Sequence, residues 1–397
     1  MTHREPRAPS RIRLDRPLID EMRLSGDGED APMRRSQPFQ VLTITLLFLL
    51  TCWVGAQKLT VLTHDSFALP EELVAEFTAA TGIEVVFLAA GDAGEVVNRA
   101  ILTKARPLGD LLYGIDDSLL ERARGEDIFE SYVSPELTRV PDALHLGNLV
   151  TPVDVGYVVP NVDLAWFLDH DVAVPTSLDE LADPLYARLT AVQNPASSSP
   201  GMAFLLATVA RFGDPAAGLA GSEDSGFEDW LDFWAAMRAN GVLVTDGWTD
   251  AYYTSFTRYG GDRPLVVSYL TSPAAEVIFA ETELAEPPTA NLECRGCAYR
   301  QVEAIGILRG TPNREAAERF VDFMLSREVQ EAIPLAMFVH PVVEDADLPP
   351  EFNSFASLAD DAQVASLPSQ LIQAHQARWL AQWTAVVLQG RQPAAVR

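Results

Sequence analysis

The stretch LTVLTHDSF, Leu59 to Phe67, decides how the chain is read. Leu59 to Leu62 is an apolar, strand-like run. It breaks into Thr63, His64, Asp65 and Ser66 with none of the Gly, Pro or Asn-Gly chemistry of a simple turn. Hydrogen-bonding groups at a strand end suit a parallel α/β sheet, where the carboxyl ends of the strands form the ligand crevice. The residues beyond Phe67 keep that logic. Pro70 suits a first helical turn, Leu73, Val74 and Phe77 mark one face, and Gly82 marks a stop. Then IEVVFLAA reads as a strand, Val96, Val97, Ala100 and Ile101 as a helix face, and GDLLYGI as a third strand ending at Asp116-Asp117. Alternation of short apolar runs with amphipathic helices defines an α/β architecture. On this reading Asp65, Asp92 and Asp116 converge at the strand ends, against the plainer reading in which such acids only cap helices.

Upstream, Met33-Arg34-Arg35, the apolar run Phe39 to Gly55 and the small residues Val54-Gly55-Ala56 have the order of a secretory signal peptide. The apolar run, about 17 residues, is short for the ~20 that cross a bilayer. Met33 reads as the true start and Ala56 as the cleavage point, so residues 1–57 are an N-terminal extension and signal peptide. Cys52 offers an alternative lipid anchor. The expected location is periplasmic or otherwise extracytoplasmic. Composition agrees: 56 Asp and Glu against 29 Lys and Arg give a net charge of −27, nearly all of it after residue 57. Such a surface repels nucleic acid and anionic lipid. A mature chain of about 340 residues exceeds what one compact core usually holds, so two lobes are expected. Cys294 and Cys297 form a local pair, which in an oxidising compartment favours a disulfide over a metal site.

Further along, TPVDVGYVVPNVDLAWF reads as a crossing strand with Asp154 and Tyr157 facing alternately. Ser197, Ser198, Ser199, Pro200 and Gly201 lead into an apolar helix, Met202 to Phe212. Hydroxyls and free N–H groups at a helix start bind anions or polar ligand groups, unless they are ordinary caps. Trp248, Tyr252, Tyr253 and Tyr269 sit among Gly, Asp, Thr, Ser and Pro, which suits a lined polar cleft. The six His are dispersed, no G-x-S-x-G elbow occurs, and His64 has no visible nucleophile partner. No catalytic residue, resident metal or cofactor is expected.

The ordered set THDSF, GDAGEVVNR, GIDDSLL, TPVDVGY, NPASSSPG, DGWTDAY, SYLTSP and RFVDFMLSREVQEAIP, closed by a helix with Trp379 and Trp383, resembles the thiamine-binding proteins of bacterial ABC importers. The resemblance runs from Leu59 to about Leu388. It implies a type II periplasmic binding protein fold: α/β, with mixed sheets flanked by helices and a ligand cleft between lobes joined by crossover strands. The lobes are expected at 58–153 plus 299–333, and at 154–298 plus 334–397 with the C-terminal helix. Carried over, it puts the loop Asp65-Ser66-Phe67, Asp92, Ser198, Trp248 and Tyr269 at the ligand. His64, Asp116, Tyr157, Ser199, Tyr252 and Phe338 complete the candidate set. Three departures thin the aromatic set: His64 stands where the family commonly has tyrosine, Ala275 where close thiamine binders have tyrosine, and Phe338 where they have tryptophan.

The implied ligand is thiamine or a related small cation, held by a monomer and passed to a permease and its ATPase. A thiazolium's fixed charge suits Asp65, Asp92 and Asp116 together with the ring faces of Trp248, Tyr269 or Phe338. A phosphorylated form would seat its phosphate at Ser197 to Gly201. The same scaffold also accommodates another solute: a polyamine, a phosphonate, or ferric ion through the Tyr252-Tyr253 pair.

Overall fold

The computed structural model describes residues 57–358 and 360–397; the signal segment, its cleavage site after Ala56 and Cys52 lie outside the described residues. Eight main strands are labelled in chain order: β1 Gln57–Thr63, β2 Ile83–Ala89, β3 Leu111–Asp116, β4 Thr151–Asp163, β5 Thr190–Gln193, β6 Leu243–Thr245, β7 Leu265–Tyr269 and β8 Ala298–Leu308. They form one mixed sheet in the order β2-β1-β3-β8-β4-β7-β5-β6, with short strands added at its margins. β1 pairs in parallel with β2 and β3, and β5 in parallel with β6 and β7. Between these two parallel groups run the long antiparallel strands β8 and β4.

Local chemistry sets the elements. After Pro70 comes helix α1 (Glu71–Thr81), which ends on Gly82 at φ 72°, a left-handed backbone that favours glycine. Asp92 caps α2 (Ala93–Leu102) in a box with Glu95, and Asp116, rather than its neighbour Asp117, caps α3 (Asp117–Gly125). Helix α4 (Ser199–Phe212) carries the apolar run and is buried along nearly its whole length.

Apolar packing gathers at both ends of the sheet. One set of contacts joins Leu59, Val61, Leu111, Ile305, Phe320 and Ile333, with helices Arg314–Met324 and Arg327–Met337 against the strands, and reaches Val339. Another joins Val158, Phe204, Trp234, Val267, Trp379 and Trp383. The two tryptophans of the C-terminal helix are fully buried there, and Trp379 Nε1 donates to Asp214 at 2.6 Å. The sheet itself is unbroken from one core to the other, because β4 and β8 belong to both. Cys294 and Cys297 form a disulfide, with Cα atoms 5.4 Å apart. Among the described residues no helix is long and apolar enough to cross a membrane.

Candidate functional site

The parallel strands β1, β2 and β3 all end at the same edge of the sheet, and that edge opens on a cavity of about 630 Å³. This is a size suited to a small organic solute. His64, Asp65, Ser66 and Asp92 line it from the strand ends, and Glu303 from the middle of β8. The opposite wall is aromatic: Trp248, Tyr252, Tyr253, Tyr259, Tyr269, Phe279 and Phe338.

The strand-end wall is held by specific partners. Asp65 accepts from Gly91 N–H at 3.0 Å and fixes the loop that carries Asp92. Asp92 accepts from Ala93 N–H at 2.7 Å and, across the cavity, from Trp248 N–H at 3.0 Å. Burial raises its pKa, against the pull of those two N–H groups. His64 is 8% exposed, with Nδ1 3.0 Å from Ser66 Oγ and Nε2 3.4 Å from a Glu303 carboxylate oxygen. Burial is the largest single influence and lowers the His64 pKa; Glu303 first, with Asp92 and Asp154 adding to it, together outweigh burial and leave the imidazole raised above 6.5. Gly114 makes room for the ring: at φ 94°, its missing Cβ would lie 2.4 Å from His64 Cδ2.

Glu303 is the residue that the sequence reading missed. In the sheet it stands directly across from Asp116 on β3 and Asp154 on β4, and register shifts beside it mark β-bulges. Bulges of this kind re-aim side chains next to sites. The buried Tyr113 hydroxyl lies 2.5 Å from Asp154 and 3.1 Å from Glu303. Burial, and then the Glu303 charge, push the Asp154 pKa well above the usual carboxylate range. The available signal was a lone acid inside the strand-like run YRQVEAIGIL.

The aromatic wall is built on turns and short helices. Trp248 stacks on Tyr252, with centroids 5.1 Å apart and an interplanar angle of 14°, and Tyr253 and Tyr269 meet it edge-on. Trp248 Nε1 donates to Ser268 Oγ at 2.9 Å. Gly156 on β4 admits the Tyr269 ring, since a Cβ there would lie 2.8 Å from it. Ala275 lines the cavity without a ring, and Phe279, one helical turn on, packs edge-on against Phe338 at 5.2 Å. Together these two phenylalanines supply aromatic surface beside the small Ala275. Phe338 sits at φ 58°, a strained backbone for a non-glycine, and Thr271 donates its hydroxyl to the Phe338 carbonyl.

Nine of the twelve expected site residues therefore line one cavity: His64, Asp65, Ser66, Asp92, Ser199, Trp248, Tyr252, Tyr269 and Phe338. The other three do not. Asp116 is fully buried, because it caps α3 through Leu119 N–H and accepts from the Ser118 and Ser199 hydroxyls. Its pKa is pushed up to about 6, by burial first. Tyr157 packs among core side chains and meets His340 edge-on. Ser198 is 1% exposed and lies near Asp92, its hydroxyl without a hydrogen-bond partner among the described residues. The hydroxyls on either side of it are committed internally, Ser197 Oγ to the Asp246 carbonyl and Ser199 Oγ to Asp116. Acidic neighbours and occupied hydroxyls make that segment a poor phosphate seat.

The ferric reading fares no better on geometry. Tyr252 donates to the buried Glu276 at 2.7 Å, and burial together with that carboxylate raises its pKa well above 10, which disfavours a phenolate ligand. Glu276 also accepts from Arg258 Nε at 3.1 Å. Among the described residues that line the cavity, Arg258 is the only Lys or Arg.

An enclosed, ring-lined and acid-rimmed cavity between two apolar cores, spanned by long shared strands, is the arrangement of a solute binder. The chain belongs to the bacterial extracellular solute-binding proteins, whose family pattern matches residues 106–358. It is 31% identical over 334 residues to the thiamine-binding periplasmic protein of Salmonella typhimurium strain LT2, covering 83% of this chain and 93% of that one. It is 29% identical over 352 residues to the protein of the same name from Escherichia coli strain K12, covering 87% and 98%. Among solved structures, a periplasmic thiamin binding protein superposes with a TM-score of 0.70 at 26% identity, covering 83% of this chain and 96% of that one. A ferric binding protein from Campylobacter jejuni, at 15% identity and a TM-score of 0.63, shares the fold.

Proposed function

We propose that this protein captures thiamine outside the cytoplasmic membrane, as a monomer, and delivers it to the permease and ATPase of an ABC importer. The observation that carries the reading is the pairing of walls around one cavity, stacked Trp248 and Tyr252 facing the carboxylates Asp92 and Glu303. A thiazolium is a flat, permanently charged ring; electron-rich faces contribute about 0.5–2 kcal/mol of cation–π attraction and the carboxylates add Coulomb attraction. The thiamine-binding names of the relatives support the same reading.

The residues that hold the ligand are then His64, Asp65, Ser66, Asp92, Ser199, Trp248, Tyr252, Tyr269 and Phe338, joined by Glu303 and Phe279. Two lobes would close on it, with β4 and β8 as the crossing strands; the cores at the two ends of the sheet support that division. Hydrogen bonds from Trp248 N–H to Asp92 and from Gly94 N–H to the Ser197 carbonyl tie the two sides together. Calorimetry with thiamine, spermidine and ferric citrate tests the reading. Heat with thiamine and quenching of tryptophan fluorescence are expected; heat with iron or polyamine alone would refute it.

A further inference from the structure

Five side chains on neighbouring elements share one cluster at the base of the cavity, His64, Tyr113, Asp154 and Glu303 buried and Ser66 exposed. Ser66 Oγ meets His64 Nδ1 at 3.0 Å, His64 Nε2 meets Glu303 at 3.4 Å, and the Tyr113 hydroxyl lies between Glu303 and Asp154. A phenol has one hydrogen and cannot donate to both carboxylates. The two acids therefore hold one proton between them, so that each of Tyr113's contacts is a hydrogen bond. Burial places that proton on Asp154. Glu303, 9% exposed, faces the cavity on one side and His64 on another.

A buried carboxylate without a cation is costly, and in the empty cavity the nearest cation is a protonated His64. The other groups facing His64 are Asp92 before α2, Asp154 on β4 and the neutral Tyr113 on β3, none of them cationic. Arg258 is committed to Glu276. A ligand cation arriving beside Glu303 would then meet the His64 charge at close range, and two cations on one carboxylate repel.

We propose that Glu303 is the group that receives the ligand's cation, and that the cation enters in exchange for the proton of His64. One positive charge goes in, and one proton leaves Nε2 for solvent past the exposed Asp65 and Ser66. The imidazole stays neutral against Ser66, and the charge of the cluster is the same before and after. The exchange rests on the thiamine reading and adds to it a named counter-ion and a direction of pH dependence. Protons compete with the ligand, so affinity falls as pH drops through the raised His64 pKa.

Thiamine titrated calorimetrically at about pH 6.5, in two buffers of different ionisation heat, reads the exchange directly. The heats should differ by the release of roughly 0.5–1 proton per thiamine, fading as pH rises above the raised His64 pKa. Glu303→Gln should abolish the release and weaken thiamine at least about tenfold at high pH. His64→Gln should abolish the release while binding thiamine more tightly than wild type at about pH 6, where the competing charge is gone. Thiochrome, an uncharged relative of thiamine, should displace no proton. Equal heats in both buffers with a pH-independent Kd, or a Glu303→Gln variant that binds like wild type, would overturn the exchange and leave the thiamine reading standing. A wild-type protein that takes up no thiamine overturns both.

Discussion

The two walls of the cavity are built by different rules. The acidic wall hangs from the ends and middle of buried strands, and each of its groups has a fixed partner: Asp65 the Gly91 N–H, Asp92 those of Ala93 and Trp248, Glu303 the Tyr113 hydroxyl. The aromatic wall sits on the wide turn Asp250–Ser255, on the short helix Ser272–Ile278 and on the left-handed Phe338. The strand-built wall sets the sign of the charge. The turn-built wall sets shape and supplies the ring faces. A ligand must satisfy both, so damage to either wall should be legible separately.

The largest loss is expected on the aromatic side. Trp248→Ala removes the stack with Tyr252, the edge contacts to Tyr253 and Tyr269, and the bond to Ser268. Thiamine affinity should fall about 100-fold, roughly 2–3 kcal/mol, as read by calorimetry. Trp248→Phe retains a ring and should lose only about tenfold or less. An alanine variant that binds as well as wild type would make the aromatic wall scaffold rather than contact surface.

Asp92→Asn isolates charge on the other wall. Asparagine keeps the helix cap to Ala93 N–H through its one carbonyl oxygen but cannot also accept from Trp248 N–H, so denaturant melts should show a loss of about 0.5–1 kcal/mol. Affinity for thiamine should drop at least about tenfold. A loss in stability with thiamine affinity unchanged would mean that Asp92 acts through the fold, by capping α2, and not through its charge.

How far these walls could be read from sequence depends on how they are built. Strands at 57–63, 83–89 and 111–116 were legible because apolar runs alternate with capped helices, and their polar ends pointed to one edge. The same rule overreached at Asp116, where a strand-end acid turned inward to cap α3 and to hold Ser199. Glu303 escaped it because it sits mid-strand, where the pleat alone does not say which face is open. Tyr259 and Phe279 escaped because rings on turns and helix ends have no periodicity; only the fold brings them beside Tyr253 and Phe338.

Behind the acidic wall, Asp117 tests whether burial there has a cost of its own. Burial and then the Asp116 charge push its pKa up to about 7. A folded-state pKa above the unfolded one means that the fold binds extra proton: the stability this contributes is present below about pH 4 and is lost as pH rises through about 7. Asp117→Asn should flatten that decline. The variant should gain on the order of 1 kcal/mol over wild type between about pH 5 and pH 8 in denaturant melts, with the Val302 N–H contact retained by the amide oxygen. A variant whose melts keep the wild-type slope against pH would show that Asp117 titrates normally.

The smallest effect is expected at the helix-start serine that sequence reasoning put at the ligand. Ser198 is buried, does not line the cavity, and its hydroxyl, near Asp92, makes no hydrogen bond among the described residues. Its dipole favours the ionised carboxylate by less than the about 1 kcal/mol of a neutral hydrogen bond, and two backbone N–H groups hold that carboxylate directly at 2.7 and 3.0 Å. Ser198→Ala should therefore cost thiamine affinity less than about threefold, under ~0.7 kcal/mol. The comparison with Asp92→Asn is what gives the small number meaning. If both variants lose the same tenfold, the hydroxyl is part of the acidic wall's charge control, and the wall extends through Ser198 to the start of α4. If Ser198→Ala is nearly silent while Asp92→Asn is not, the charge acts at the cavity surface, and the serine-rich segment serves to seat α4 against the sheet.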